Sequence, residues 1–349
     1  MVTVDIPLTY VALGLGGLFL LAKAAPFLRR RFPAVRARGA DGKEAVVVVT
    51  GCSTGIGRAL AMDLHRAGFT VFAGVRKQAD ADSLAKEATA LTDGGDGRGD
   101  VRPLLVDVAD AASVERAVAE VRTFVVRSSA HLVGLVNNAG VSLNGPVEHV
   151  SVAKLRGMFE VNVFGLVAMT QGIVAIMRER PSAMGARIVN ISSIAGTIAR
   201  PFSGPYSSSK YAVEALSDAL RREVHPWNMS VSVIQPGFIK TDISAKSAAD
   251  SVAQGQALAA QGITTYAAHY EPDACKARAA ASQGKAGTTR DVSLQAIHAL
   301  TSEYPAPRYQ CGGDSWAAAV VPHLPDWIVD RILASHPQHG WPGKHKVEL

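Results

Sequence analysis

Cysteine is scarce in this chain: Cys52, Cys275 and Cys311 are the only three in 349 residues. An odd, scattered set excludes a disulfide framework and suits a reducing compartment. Cys52 falls in a glycine-rich turn, where a small side chain filling tight space accounts for it better than an oxidation-sensitive thiol does. A metal centre is not expected either, because His336, His339 and His345 stand in a Pro/Gly-rich tail without cysteine or carboxylate partners. Missing too is any basic stripe with interleaved aromatics, so nucleic acid is not an expected partner. The net charge of +6 is concentrated at one end: up to Glu44 there are seven basic residues against three acidic, or +4, leaving +2 for the remainder.

Long apolar runs are rare. Trp316 to Leu333 is apolar but interrupted by Pro322 and Pro325, which argues against a membrane span. The short stretch Asp326 to Ala334 suits a helix that either touches a bilayer or packs on protein. The run free of charge is Ile6 to Ala22, which as a helix would reach about 26 Å, near the thickness of the hydrocarbon layer. Its start, Met1-Val2-Thr3-Val4-Asp5, has neither the basic region of a signal peptide nor the early arginines of a presequence. Arg29-Arg30-Arg31 follows the run and places what comes after it on the cytosolic side. The expected plan is a membrane anchor over 1–28, a basic linker over 29–43, one α/β domain over 44–335 and a tail over 336–349. The endoplasmic reticulum is the expected membrane, with the mitochondrion as the alternative.

Within the domain, Ala45-Val46-Val47-Val48-Val49-Thr50 is an apolar β-branched run suited to a strand buried on both faces. Gly51-Cys52-Ser53-Thr54-Gly55-Ile56-Gly57 follows at once, spaced Gly-x-x-x-Gly-x-Gly and not Gly-x-Gly-x-x-Gly. Glycines between a strand and a helix let backbone N–H groups approach a pyrophosphate at the helix N-terminus. Strands are expected at 69–75, 101–106, 132–136, 186–191 and 230–235, with helices at 80–90, 113–126, 151–180 and 205–225. Alternation of this kind is the signature of a parallel sheet. Residues 93–100 form a polar glycine loop with no chemistry indicated, and 240–292, poor in large apolar side chains, looks like an insertion outside the main core.

Tyr206 and Lys210 lie four residues apart, with Ser193 thirteen residues before Tyr206. On a helix this spacing puts a phenol and an ammonium side by side. A neighbouring cation favours the phenolate and brings a group of pKa about 10 toward proton exchange with an alcohol at neutral pH.

Together with Asn137-Asn138-Ala139-Gly140, Asn162 and Pro236-Gly237, these motifs resemble the short-chain dehydrogenase/reductase family, over residues 44 to 335 and in the family's order. Ile188-Val189-Asn190-Ile191-Ser192-Ser193, Val213-Glu214-Ala215-Leu216-Ser217-Asp218 and Pro307-Arg308-Tyr309 are similar to the branch holding retinol, hydroxysteroid and mitochondrial 3-hydroxybutyrate dehydrogenases. The resemblance implies a Rossmann-type doubly wound parallel sheet and a homo-oligomer. It implies a nucleotide pyrophosphate over Gly51, Ser53, Thr54, Gly55, Ile56 and Gly57, with Asp107 at the adenine, Asn138 beside the cofactor, Lys210 at the ribose and Thr241 at the carboxamide. Tyr206 would move the proton, Ser193 would steady the substrate oxygen, and Asn162 would hold a water that relays protons by way of Lys210. The insertion would cover the substrate, with Tyr266, His269 and Tyr270 as candidate lid residues.

At the end of the second strand, Gly74-Val75-Arg76-Lys77 lacks the carboxylate that accepts the ribose 2′-hydroxyl of NAD and offers two cations instead. NADP(H) is therefore expected, with NAD as the alternative. The pocket positions placed by motif, Ser142, Ala195 and Ser203, are uncharged, Ile194, Ile198 and Phe202 are apolar, and Arg200 is the one cation near them. A lipophilic alcohol or ketone, such as a steroid or retinoid, is the expected substrate, and a 3-hydroxybutyrate-type acid is the alternative. A non-catalytic nucleotide-binding subunit of a membrane complex is a third reading, disfavoured by the intact Asn162, Ser193, Tyr206 and Lys210.

Overall fold

A strand with no polar face needs cover on both sides, and Ala45–Val49 (β1) has every residue buried inside the sheet. The computed structural model describes residues 31–95, 97–284 and 286–334, with the backbone alone for 242–248, 281–283 and 334. The expected anchor and the tail lie outside the described residues. Thr70–Val75 (β2), Asp100–Leu105 (β3), His131–Asn137 (β4), Ala186–Ile191 (β5), Met229–Pro236 (β6) and Arg308–Cys311 (β7) complete a seven-stranded sheet. Its order is β3-β2-β1-β4-β5-β6-β7, and every pairing is parallel. The chain leaves β1 toward one edge and later resumes at β4 toward the other. A crevice therefore opens at the carboxyl ends of β1 and β4, where ligands bind in such sheets.

Helices cover both faces. Gly55–Arg66 (α1), Gln78–Asp93 (α2) and Thr289–Thr301 (α10) take one face, where Leu60, Leu64, Leu84, Val292 and Leu300 are buried. Ala111–Ser128 (α3) and Gly165–Glu179 (α5) take the other, with Val121, Val125, Met169 and Ile173. The single helix expected over 151–180 is three pieces: Val152–Phe159 (α4), a π-turn at Glu160–Phe164, and α5. Among the described residues, Val152–Glu179 is the one stretch long and apolar enough to cross a membrane, at a mean hydropathy of 1.6. Met169, Ile173, Ile176 and Met177 on it are buried in the domain, which marks it as a core helix.

Gly204–Glu223 (α6) carries Tyr206 and Lys210 and has Pro205 in its first turn, where a missing N–H costs nothing. Asp242–Ala259 (α7), Ala267–Tyr270 (α8) and Pro272–Gly284 (α9) form the insertion. It ends earlier than composition indicated, because 289–292 already belong to α10, whose Val292 is core. The polar loop is also shorter, since α2 runs to Asp93 and β3 begins at Asp100. Beyond β7 come Ala317–Val320 (α11) and Asp326–Ala334 (α12), which leave Trp316, Val320, Trp327 and Ile332 exposed.

The stretch expected as a basic linker is docked from Phe32 onward. Arg187, fully buried at the start of β5, donates from Nη2 to the carbonyls of Pro33 at 2.7 Å and Ser302 at 3.3 Å, and from Nη1 to that of Ala186 at 3.2 Å. Its guanidinium lies 5.0 Å from the Phe32 ring centroid, and burial pulls its pKa down to about 10. Phe32 N donates to Glu303 O at 2.8 Å, and Ala45 N to Ala37 O at 2.9 Å. Every one of these contacts sits at the amino ends of the strands. The chain therefore enters the domain on the side opposite the crevice.

Candidate active site

Six strand ends build the site. After β1, Gly51 takes φ of 71°, and a Cβ there would come within 2.8 Å of Ala139 Cα. A Cβ on Gly57 would collide with the Gly51 carbonyl oxygen, so the turn closes with glycine at both places. Cys52 is fully buried and its thiol donates to Val49 O at 3.2 Å. Burial raises its pKa far above the ordinary thiol range, so it stays an unreactive filler of the turn.

After β4, Asn138 Nδ2 donates to Thr50 O at 2.9 Å and Gly51 O at 3.0 Å, while Thr50 Oγ1 accepts from the N–H groups of Asn138 and Ala139 at 3.0 Å each. Asn138 thus acts first as a brace for the glycine turn. Ser53, Gly55 and Ile56 are half-buried and Thr54 is exposed along this rim. Thr241, the N-cap residue of α7, brings its methyl within 3.5 Å of where a Gly55 Cβ would be, so the far end of the crevice closes toward the turn.

Just past β3, Asp107 uses Oδ1 to accept from Ala109 N at 3.0 Å. Arg76, just past β2, is exposed, and no hydrogen bond or ion pair engages it among the described residues. The open crevice, its glycine turn and an available cation fit a dinucleotide.

Tyr206, Ser193 and Lys210 meet at the carboxyl ends of β5 and β6. Ser193 Oγ accepts from Ala195 N at 3.1 Å and donates to Pro236 O at 3.4 Å. Lys210 is buried and its Nζ donates to Ile191 O at 2.9 Å, leaving two of its three N–H donors for a ligand. Its Nζ is 5.8 Å from the Tyr206 ring centroid. Burial pulls the lysine pKa down to about 8, with the Glu214 carboxylate opposing. For Tyr206 the expected lowering by a neighbouring ammonium is not what prevails. Burial raises its pKa, partly offset by the hydrogen bond with Ser193, because the ammonium is turned to the β5 carbonyl. A phenol that stays protonated at neutral pH is a proton donor to a carbonyl oxygen.

Asn162, buried in the π-turn, accepts at Oδ1 from Val141 N at 2.8 Å and donates from Nδ2 to Val141 O at 2.9 Å and Ser209 Oγ at 3.0 Å. Its amide therefore ties the strand-4 loop to α6 and has no direct bond to Lys210. The two still converge, since a Cβ on Gly140 would lie 3.4 Å from Asn162 Oδ1 and 3.7 Å from Lys210 Nζ. π-turns of this kind recur at functional sites.

A charged network behind the site was not foreseen. Glu214, one turn beyond Lys210, accepts from Gln235 Nε2 and from Arg308 Nε, each at 3.0 Å, and Arg308 Nη2 reaches Asp218 at 3.1 Å. The signal available was the i,i+4 spacing of Lys210 and Glu214 on one helix face. In the insertion, His269 stacks on Phe202 with ring centroids 3.7 Å apart, Tyr266 packs edge-on against Phe202 at 5.6 Å, and the Tyr266 hydroxyl donates to Glu148. Of the candidate lid residues, Tyr266 and His269 thus meet the loop that leads into the Tyr206 helix, and Tyr270 packs edge-on behind His269 at 5.2 Å.

Residues 45–252 match the family model described as short chain dehydrogenase. The chain belongs to the short-chain dehydrogenase family. The mitochondrial D-beta-hydroxybutyrate dehydrogenase of Rattus norvegicus is 34% identical over 322 residues, covering 90% of each chain. Retinol dehydrogenase 5 of Mus musculus is 31% identical over 299 residues, covering 83% of this chain and 88% of its own. The crystal structure of a short-chain dehydrogenase from Streptomyces avermitilis superposes with a TM-score of 0.61 at 26% identity, over 83% of this chain and 95% of that one. This short-chain dehydrogenase is an NAD(P)-dependent oxidoreductase of alcohol or ketone substrates, in the branch that the sequence motifs indicated.

Proposed function

We propose that the protein is an NADP(H)-linked reductase or dehydrogenase of a lipophilic alcohol or ketone. The observation that carries the cofactor choice is Arg76, a free exposed guanidinium where a carboxylate would serve NAD. When bound, NADP(H) supplies or accepts the hydride. Ser193 holds the substrate oxygen, Tyr206 gives or takes its proton, Lys210 holds the ribose with its free N–H donors, and Asp107 meets the adenine. Ile194 and Ile198, both buried, with Phe202 and Phe238 nearby, make an apolar wall for the substrate body. Purified protein should reduce steroid or retinoid carbonyls with NADPH at a kcat/KM at least about a hundredfold above that for acetoacetate, a gap that apolar burial can supply. Equal values, or a preference for the acid, would favour the second reading, a 3-hydroxybutyrate-type dehydrogenase, which draws on the likeness to the rat enzyme. Arg76→Ala should raise the KM for NADPH about tenfold or more, the loss of one charge-assisted hydrogen bond, and leave NADH unchanged. An equal loss with both nucleotides would remove Arg76 from the 2′-phosphate.

We also propose that residues 1–28 anchor the protein, in the endoplasmic reticulum or alternatively the mitochondrial membrane, with the domain facing the cytosol. Since the described chain enters opposite the crevice, an anchor there leaves the site facing away from the bilayer. Deleting 1–28 should release an active, soluble enzyme from carbonate-washed membranes. Release of the intact chain by carbonate alone, or protection of the domain from protease in sealed vesicles, would contradict the anchor or its orientation.

A further inference from the structure

Among the cations near the crevice, Arg200 has no task. Lys210 is bonded to the β5 carbonyl, and Arg308 is shared between Glu214 and Asp218. Arg200 lies on the segment joining the two hydroxyl groups of the site, seven residues after Ser193 and six before Tyr206. Its guanidinium carbon sits 5.0 Å from the centroid of the Phe238 ring. Phe238 follows Pro236 by two residues, and Pro236 O accepts from Ser193 Oγ at 3.4 Å, so Arg200, Phe238 and Ser193 belong to one wall.

Two features separate this arginine from a solvated surface charge. It is half-buried, and burial lowers its pKa, with the negative charge of Asp314 opposing. Yet no carboxylate of the described residues forms an ion pair with it, and Asp314 Oδ1 is occupied by Phe238 N at 3.0 Å. A guanidinium remains charged in such a place, and its planar fork matches a two-oxygen anion. Leaving a half-buried guanidinium without an ion-pair partner is unfavourable unless a ligand supplies one. The Phe238 ring lies beside it. Ile198 and Ala195, both buried, keep the surroundings apolar.

We propose that Arg200 binds an anionic end of the substrate, a carboxylate, sulfonate or phosphate borne on an apolar chain whose carbonyl lies at Ser193 and Tyr206. The inference rests on the oxidoreductase reading and narrows its lipophilic substrate to an amphiphile. It makes Arg200 the residue that discriminates an acid from its neutral analogue.

Binding can be tested apart from turnover, because decanoate, decanesulfonate, decyl phosphate and decanol carry no reducible carbonyl. Titrated into the NADPH-loaded full-length protein and followed by nucleotide fluorescence, at least one of the anions should bind about tenfold or more tightly than decanol, the effect of one charge-assisted pair. The anion that gains most identifies the head group. In Arg200→Gln the advantage should fall to about onefold, with NADPH affinity and Tm unchanged. Arg200→Lys keeps the charge without the fork and should retain only part of the advantage. Equal binding of anions and decanol by the wild type, or an undiminished advantage in either variant, would overturn the proposal. So would a loss of NADPH affinity in Arg200→Gln, which would place the guanidinium on a cofactor phosphate. A protein that binds an anion through Arg200 but reduces no ketone would refute the oxidoreductase reading and leave the subsite standing.

Discussion

Tyr206→Phe lowers kcat by about a hundred- to ten-thousandfold, the range lost with a positioned proton donor, while NADPH still binds as in the wild type. The substitution keeps the ring and its packing and removes one hydroxyl, which shares a hydrogen bond with Ser193. Burial holds this phenol above its ordinary pKa, so in the free protein it is the acid form that meets the substrate. Carbonyl reduction should therefore not decline on account of Tyr206 until the pH passes about 10, its unperturbed value. Stopped-flow reduction of a ketone by the preloaded NADPH complex, wild type against variant, reads the effect directly. A variant that keeps the wild-type single-turnover rate would remove Tyr206 from the chemistry.

Lys210→Met loses both binding and turnover. Methionine fills nearly the same volume, so the change tests charge and not packing. The affinity for NADPH should fall about tenfold with the loss of a charge-assisted donor, and kcat by about a hundredfold or more. The wild type adds a pH signature. Because the folded pKa is pulled down to about 8, the ammonium is present below that pH and disappears above it. NADPH affinity should weaken between pH 7 and 9, above the titration of the 2′-phosphate at about 6, and Lys210→Met should show no such slope. The same depression means that the buried ammonium costs stability below about 8, a cost that fades as pH rises toward the ordinary 10.5. A flat wild-type affinity across that window, or a slope that survives in the variant, would contradict this role.

Much of the fold was legible because its signals are local. The run Ala45–Val49 has no polar face and could only be an interior parallel strand, and Gly51 and Gly57 stand where a side chain would meet backbone. Elements whose signal is not local were read less well. The strand Arg308–Cys311 is four residues long and buries alternate positions, too little for a pattern to register. The π-turn at Glu160–Phe164 adds one residue to a helical turn without any composition of its own. The stretch 29–43 reads as a basic tether, yet its Phe32 and Val35 are buried, since the partners that hold it, Arg187 and Glu303, are more than a hundred residues away.

The site divides in the same way. Sequence by itself determined which groups are the candidates for the chemistry, because a phenol and an ammonium at i and i+4, a serine after a strand and a glycine turn are fixed by spacing along the chain. Only the tertiary structure decided what those groups are like. Lys210 turns to Ile191 O and leaves burial to set the Tyr206 pKa, and Asn162 ties the strand-4 loop to α6 through its own amide. Arg200 is left half-buried beside Phe238, with no ion pair among the described residues. Burial and the direction of a side chain depend on residues distant in sequence, and the energy of a charge follows from what surrounds it more than from what precedes it in the chain.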